Sequence, residues 1–213
     1  MVEDRKEKIL LKAIELYCVE GYANVSITDL QAALNMGRGT LYYYFKDKDE
    51  LFQEAVSTFL LQPKQRALDR VKDNATVPEV IEAMMYYLNQ LKEFHEQVDN
   101  KNINVSNVVN VMFTAYSKFP DLYKKARRLY EHELNLWTQA IKNSMRAGEV
   151  SGNVHIDTVA HMFVHIKDGR GTLHSAGWRQ ACFPERRFIH QRYRRTQSFG
   201  AYLYFVISSD IGR

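Results

Sequence analysis

A chain of 213 residues that is 46% hydrophobic can form one compact unit, or a small domain fused to a larger one. Charged residues interrupt every apolar run before it reaches the roughly 18 residues of a membrane helix, and the charged stretch from Glu3 to Lys8 is unlike a signal peptide. We therefore expect a cytoplasmic protein without a membrane partner, and the net charge of +4 is too small to indicate a nucleic-acid partner by itself.

The first predicted element is an amphipathic helix. Ile9, Ala13, Leu16 and Tyr17 fall on one face at helical spacing, and Gly21 ends the helix where a left-handed residue is needed. Cys18 lies within this pattern and is predicted to be a small buried residue. The two cysteines have neither metal-site nor disulfide-framework spacing, so we expect no metal and no cofactor.

Two short helices are predicted next. Thr28 followed by Gln31 has the pattern of a capping box, which predicts that Thr28 caps a helix over residues 29–34. Residues 35–37, Asn-Met-Gly, interrupt it, and residues 39–45 form another short helix.

Longer helices are predicted beyond this point. Asp47 with Glu50 caps a helix that Pro63 is expected to end. Further helices are predicted over residues 77–99, 105–116, 121–146 and 157–167. Strand-like alternation occurs only weakly, near residues 202–207, so the predicted fold class is all-α.

The short helix over residues 39–45 has the composition of a DNA-reading helix. Three short helices with a tight turn between the second and third follow the helix-turn-helix plan, in which the third enters the major groove. Leu41 and Phe45 are four residues apart and are predicted to pack inward. The side chains left to point outward or sideways are Arg38, Thr40, Tyr42 and Tyr43. Exposed tyrosine hydroxyls can bind phosphates, and tyrosine rings can contact thymine methyl groups.

Three neighbouring residues fit the same interpretation. Arg38 can approach a guanine edge, and Gly39 lets the backbone come close to the phosphate chain. Lys48 falls in the first turn of the next helix, where free amides and a cation together can hold a phosphate.

The stretches Ser26-Ile27-Thr28-Asp29-Leu30, Gly39-Thr40-Leu41-Tyr42-Tyr43-Tyr44-Phe45 and Lys48-Asp49-Glu50-Leu51 strongly resemble the TetR family of bacterial repressors. The resemblance covers about residues 5–55. It implies a helix-turn-helix DNA-binding domain over residues 1–50 and a helical effector-binding and dimerisation domain over residues 51–213. It also implies a homodimer that binds a palindromic double-stranded operator and is released by a small-molecule effector.

By the same resemblance, the DNA-contacting positions are Thr28, Arg38, Gly39, Thr40, Tyr42, Tyr43, Tyr44 and Lys48. The family's turn usually has the order Gly-hydrophobic-Ser, whereas this chain has Asn35-Met36-Gly37. Asn tolerates the left-handed conformation, but the missing serine removes one hydroxyl contact to phosphate. We expect an altered operator preference and retained DNA binding.

The body of the chain contains residues suited to an apolar ligand pocket, because methionine and aromatic side chains adapt to irregular ligands. The candidates are Met84, Tyr87, Met112, Phe113, Tyr116, Trp137 and His161. Each of them also fits an ordinary core position at helical spacing, and both interpretations stay open.

An alternative is a metal site, since His161 and His165 are four apart on one predicted helix, with His155 and Asp157 upstream. No third convincing ligand follows, and a hydrolytic zinc helix would need Glu at the position of Met162. We therefore expect no catalytic residues and no enzyme. The basic run at residues 124–128 is predicted to be a solvated helix face. A helix-turn-helix protein without any small-molecule ligand is a further alternative.

The C-terminal end has an unusual composition. Residues 1–169 hold 21 Lys and Arg against 23 acids, whereas residues 170–213 hold 8 Arg, no Lys and 2 acids. Residues 185–195 lack a clean apolar stripe, and residues 170–195 as a whole are atypical of a final dimerisation helix. Either a shifted reading frame has replaced that helix, or a natural arginine-rich loop precedes a short helix over residues 197–207.

Overall fold

The computed structural model describes residues 2–37, 39–100, 103–150 and 154–167. Every regular element in these residues is helical, which confirms the all-α prediction. The elements are α1 (Val2–Glu20), α2 (Ile27–Ala33), α3 (Thr40–Tyr44), α4 (Lys48–Val56), a π-helical segment (Ser57–Leu61), α5 (Gln62–Leu68), α6 (Val77–Gln97), α7 (Val105–Lys118), α8 (Pro120–Arg146) and α9 (Ile156–Lys167). The atypical residues 170–195 and the weak strand pattern at 202–207 lie outside the described residues.

We call residues 1–50 the head and residues 51–213 the body. The head is built around α1, whose Ile9, Ala13, Ile14 and Tyr17 are completely buried. The Tyr17 ring meets Phe52 of α4 edge-on, with the ring centroids 4.9 Å apart. Burying a large apolar side chain contributes roughly 1.5–3 kcal/mol, so α1 holds the helix-turn-helix against the first helix of the body.

The N-terminus of α2 differs from its prediction. The capping residue is Ser26, whose Oγ accepts a hydrogen bond from the Asp29 amide at 3.2 Å. The Asp29 carboxylate accepts one in return from the Ser26 amide at 2.7 Å. The prediction that Thr28 caps this helix was therefore wrong, because Asp29 completes the reciprocal bonds with Ser26, two residues before the predicted cap.

The prediction that Pro63 ends the fourth helix was also wrong. The chain passes from α4 through the π-helical segment into α5, and the Gln62 amide bonds to the carbonyl of Ser57, five residues back. Pro63 thus lies in the first turn of α5. Proline has no amide hydrogen, but amides in the first turn of a helix do not donate to a carbonyl of that helix, so no hydrogen bond of α5 is lost. A single helical rod therefore joins head and body.

In the described part of the body, α5, α6, α7 and α9 pack around α8. Thr76 and Glu79 form a capping box at the start of α6. The Ser144 hydroxyl of α8 accepts a hydrogen bond from the Val77 amide at 3.0 Å. Trp137 is buried at the middle of α8 and its ring stacks on Phe163 of α9, with centroids 4.3 Å apart.

Hydrogen bonds tie α1 of the head to the start of α7 and the segment before it. The Asn107 side-chain amide donates to the Cys18 carbonyl at 3.0 Å, and the buried Glu15 carboxylate accepts from the Asn100 amide at 2.8 Å. Cys18 is buried, as predicted. Among the described residues no helix is both long and apolar enough to cross a membrane.

Candidate DNA-binding surface

The turn between α2 and α3 depends on two left-handed backbone positions. Asn35 has φ +50°, which confirms the prediction that asparagine preserves this turn. Gly39 has φ +95° and stands directly before α3. A side chain would meet no atom within 4 Å at Gly39, so the requirement for glycine there is conformational and is not set by space.

The two faces of α3 differ sharply. Leu41 and Phe45, at its start and just past its end, are buried in the head, as predicted from their spacing. Tyr42 and Tyr43 are 58% and 77% exposed. Two adjacent tyrosines with this exposure add little to the core, so they form an aromatic surface available to a partner.

The remaining predicted contact residues lie around this aromatic surface. Thr28 is exposed on α2, and Thr40 is half-buried at the start of α3. Tyr44 is half-buried and its ring meets that of Tyr43 edge-on, with centroids 5.0 Å apart. The predicted contact Arg38 lies outside the described residues.

Lys48 is the first residue of α4, and its ammonium group lies over an aromatic ring. Asp47 caps this helix by accepting a hydrogen bond from the Glu50 amide at 2.8 Å. The Lys48 ammonium lies 4.2 Å from the centroid of the Tyr22 ring. Its pKa lies below its ordinary value because of burial and then because of the nearby cation of Lys118.

The surroundings of Lys48 were not predicted from the sequence. The Tyr22 hydroxyl donates a hydrogen bond to the Asp49 carboxylate. From α7, the Lys118 ammonium lies 3.4 Å from the same carboxylate and 4.8 Å from the centroid of the Tyr22 ring. We call Tyr22, Lys48, Asp49 and Lys118 the Tyr22 cluster.

A family comparison decides the identity of this three-helix unit. Residues 9–55 match the family of bacterial regulatory proteins known as the tetR family. The match covers the helix-turn-helix region, which is therefore similar to the N-terminal region of that family. The chain accordingly has an N-terminal helix-turn-helix unit, and the described residues that follow it are helical.

Three curated relatives are transcriptional regulators. A Staphylococcus aureus HTH-type regulator is 28% identical over 80% of this chain and 90% of that protein. The uncharacterized HTH-type regulator YhgD of Bacillus subtilis is 29% identical over 44% of this chain, which spans about half of that relative (49%). The negative regulator IcaR of the biofilm operon in Staphylococcus epidermidis is 31% identical over 24% of this chain and 28% of that protein.

The fold is also that of solved relatives. A TetR-family regulator from Marinobacter aquaeolei superimposes with a TM-score of 0.56 over 81% of both chains, at 19% identity. At this identity the likeness concerns the fold alone.

The residues predicted to form a ligand pocket lie on four helices of the body, α6, α7, α8 and α9. Met84 and Trp137 are buried, and Phe113 is half exposed. The partly buried remainder comprises Tyr87, Met112, Tyr116 and His161. The Trp137 indole N–H is buried without a hydrogen-bond acceptor among the described residues.

Two clefts among the described residues are lined by residues other than the predicted pocket residues. One of about 250 Å³ lies between the segment after α5 and the middle of α8, beside Asp73 and Gln139. The other, of about 400 Å³, lies between α4 and the start of α8, beside Glu54 and Lys125. Neither lining includes a predicted pocket residue.

The histidines of α9 do not assemble a metal site with their described neighbours. The rings of His161 and His165 are 6.1 Å apart between centroids, and the His161 Nδ1 lies 2.7 Å from the Asp157 carbonyl oxygen. Within the described ranges, no group of three or more histidine, cysteine or acidic residues is arranged to hold a metal ion.

Proposed function

We propose that this regulator represses transcription by binding a palindromic DNA operator as a homodimer, and that a small-molecule effector releases it. The observation that carries the proposal is the exposed pair Tyr42 and Tyr43, on a helix whose opposite face is fixed in the core by Leu41 and Phe45. A rigid, short helix with an exposed aromatic surface is suited to the major groove.

In the proposed complex, the hydroxyls of Tyr42 and Tyr43 reach phosphates and their rings contact thymine methyl groups. Lys48 neutralises a phosphate, and Gly39 permits close approach of the backbone. Contacts of the same kind are proposed for Thr28, Arg38, Thr40 and Tyr44. The division into a head over residues 1–50 and a body over residues 51–213 belongs to the same proposal.

Dimerisation is proposed because one short reading helix contacts too few base pairs for a selective regulator. Two heads on half-sites about one helical turn apart would read a palindrome. In the family resemblance, the last two helices of each subunit form the dimer interface, and α9 corresponds to the first of these.

The effector is proposed to enter the body near Met84 and Trp137. An effector with a hydrogen-bond acceptor would satisfy the buried Trp137 indole N–H, which has no acceptor among the described residues. Release from DNA requires that the effector bind one conformation of the regulator more tightly than the other. Repression rather than activation is supported by the similarity to IcaR, a negative regulator.

The test is fluorescence-anisotropy binding to duplex DNA from the region upstream of the gene, at several salt concentrations. We expect tight, selective binding that weakens steeply with salt, since counterions are released from the phosphates. Tyr42→Ala should abolish selectivity, whereas Met85→Ala, which truncates a similarly exposed side chain of α6, should bind normally. Equal affinity for unrelated duplexes would contradict an operator in that region, and selection from a randomised duplex library would then decide whether any exists.

A further inference from the structure

The Tyr22 cluster connects the first residue of α4 with the last residue of α7. Lys48 and Lys118 are both cations over the Tyr22 ring, at 4.2 and 4.8 Å from its centroid. Asp49 accepts a hydrogen bond from the Tyr22 hydroxyl and forms an ion pair with Lys118 at 3.4 Å. Every member of the cluster thus contacts at least one other.

The Tyr22 ring is fixed by packing as well as by its hydroxyl. Its centroid lies 4.6 Å from that of Phe52 in α4 and 6.2 Å from that of Phe119, the residue after α7. Edge-to-face aromatic pairs at these distances favour a defined ring orientation. The surface on which the Lys48 ammonium lies is therefore set jointly by the head and the body.

The position of Lys118 is set by the body. It is the last residue of α7, and the first turn of the same helix is bonded to the head through Asn107 and the Cys18 carbonyl at 3.0 Å. The helix therefore contacts the head at both of its ends. Lys118 also lies 5.3 Å from the Phe119 ring centroid, which restricts its side chain further.

We infer that Tyr22 and Lys118 are positioning residues for Lys48, so that a residue of the body sets the affinity of the head for DNA without contacting DNA. The inference rests on the proposed function, in which Lys48 contacts a phosphate. Lys118 neutralises Asp49 and repels Lys48, and both effects leave the Lys48 ammonium available to a phosphate. Without Lys118, the uncompensated Asp49 carboxylate would attract the Lys48 ammonium and draw it away from the phosphate.

The experiment is a double-mutant cycle with Lys118→Gln and Lys48→Gln, measured by anisotropy on a fluorescent duplex selected by the wild-type protein from a randomised library. We expect Lys118→Gln to weaken binding by about fivefold, which corresponds to the upper end of the free energies that partly exposed ion pairs contribute. In the Lys48→Gln background, the same change should weaken binding by less than about twofold, because no Lys48 ammonium is left to be positioned; twofold is about the margin within which independent changes add.

Two control variants separate positioning from general effects. Lys92→Gln removes one cation from an exposed ion pair of α6 and should leave affinity within about twofold of the wild type. Tyr22→Phe keeps the ring and removes the hydroxyl bond to Asp49, and it should weaken binding only while Lys48 is present. Urea unfolding of each variant identifies any loss of affinity that comes from loss of folded protein.

The outcomes are distinguishable. If the wild type binds its selected duplex and the losses from Lys118→Gln and Lys48→Gln add fully, Lys118 contacts DNA directly or acts elsewhere, and the positioning role is overturned while the proposed function stands. If the wild type selects no duplex, the proposed function fails and the inference fails with it.

Discussion

The ammonium of Lys64 lies 2.6 Å from a carboxylate oxygen of Glu133, whose side chain is completely buried. Lys64 belongs to α5, at the body end of the rod that leaves the head, and Glu133 lies in the middle of α8. A charge in this position is tolerated only when it is paired, because taking a carboxylate out of water is costly. The pair therefore fixes α5 against α8.

Glu133→Gln should destabilise the protein strongly. The substitution leaves the largely buried Lys64 cation without its carboxylate, and we expect the free energy of unfolding to fall by about 3 kcal/mol in urea titrations. Glu131→Gln is the matched control, since it removes the exposed partner of Arg127 on the same helix and should cost less than about 1 kcal/mol. Equal losses in the two variants would contradict a stabilising buried pair.

Ser26→Ala and Thr28→Ala should differ in their effect on stability. Ser26 caps α2 through its hydroxyl, so its loss should lower the free energy of unfolding by about 1 kcal/mol. Thr28 is exposed inside the helix, and its substitution should leave stability nearly unchanged while weakening DNA binding. Urea titration and anisotropy on the same samples test both statements; a larger stability loss in Thr28→Ala would contradict the assigned cap.

The Asp29 carboxylate should contribute to stability in a pH-dependent way. Hydrogen bonds from the hydroxyl and then the amide of Ser26 hold its pKa below its ordinary value. A carboxyl group whose pKa is lower in the folded state stabilises the protein above its unfolded pKa, about 3.9, and this contribution is lost as pH falls through the folded value.

Asp29→Asn should consequently be less stable than the wild type at neutral pH, with the difference shrinking below about pH 4. Urea titrations at a series of pH values measure the difference. A gap between the two proteins that widens on acidification would show that the sign is wrong.

Gly39→Ala should destabilise the head through backbone strain alone. Gly39 has φ +95° and open space where a methyl group would stand, so the cost is that of the left-handed region, about 1–2 kcal/mol. Gly37→Ala is the control, because a Cβ atom at Gly37 would also meet no atom within 4 Å, whereas the φ angle of Gly37 lies outside the left-handed region. Thermal unfolding followed by circular dichroism should distinguish the two variants, and an equal change in both would argue against strain.

The Cys18 thiol should be unreactive in the folded protein. Burial, and then the negative charge of Glu15, raise its pKa to about 12, so almost no thiolate forms at neutral pH. In a Cys182→Ser background, a thiol reagent should react slowly with native protein and rapidly in urea. Rapid reaction before unfolding would indicate that α1 separates from its neighbours.

Local patterns predicted the two faces of α3 well. The inward placement of Leu41 and Phe45 and the exposure of Tyr42 and Tyr43 follow from spacing within a single short helix. The partnership of Tyr22 with Lys118 could not be predicted in this way, because the two residues are distant in the chain and are brought together by the packing of α1, α4 and α7.

The two wrong boundaries have different physical causes. Thr28 and Ser26 offer equivalent hydroxyls, and the choice between them depends on which acidic or amide side chain completes the reciprocal bonds. Pro63 is a helix breaker in an isolated α-helix, but a preceding π-turn changes which amides the helix needs. Sequence patterns describe average helices, and both errors arise where the actual hydrogen bonding departs from the average.

The π-helical segment has a rotational consequence for the rod that joins head and body. An α-helix advances about 100° per residue, and a π-turn accommodates one residue more than an α-turn. Side chains beyond Leu61 are therefore turned by about one residue relative to an unbroken α-helix. Phe52 and Lys64 would lie about 120° apart around an unbroken α-helix, and the extra residue of the π-turn reduces this angle to about 20°. One face of the rod can in this way pack Phe52 into the core of the head and pair Lys64 with Glu133 of α8.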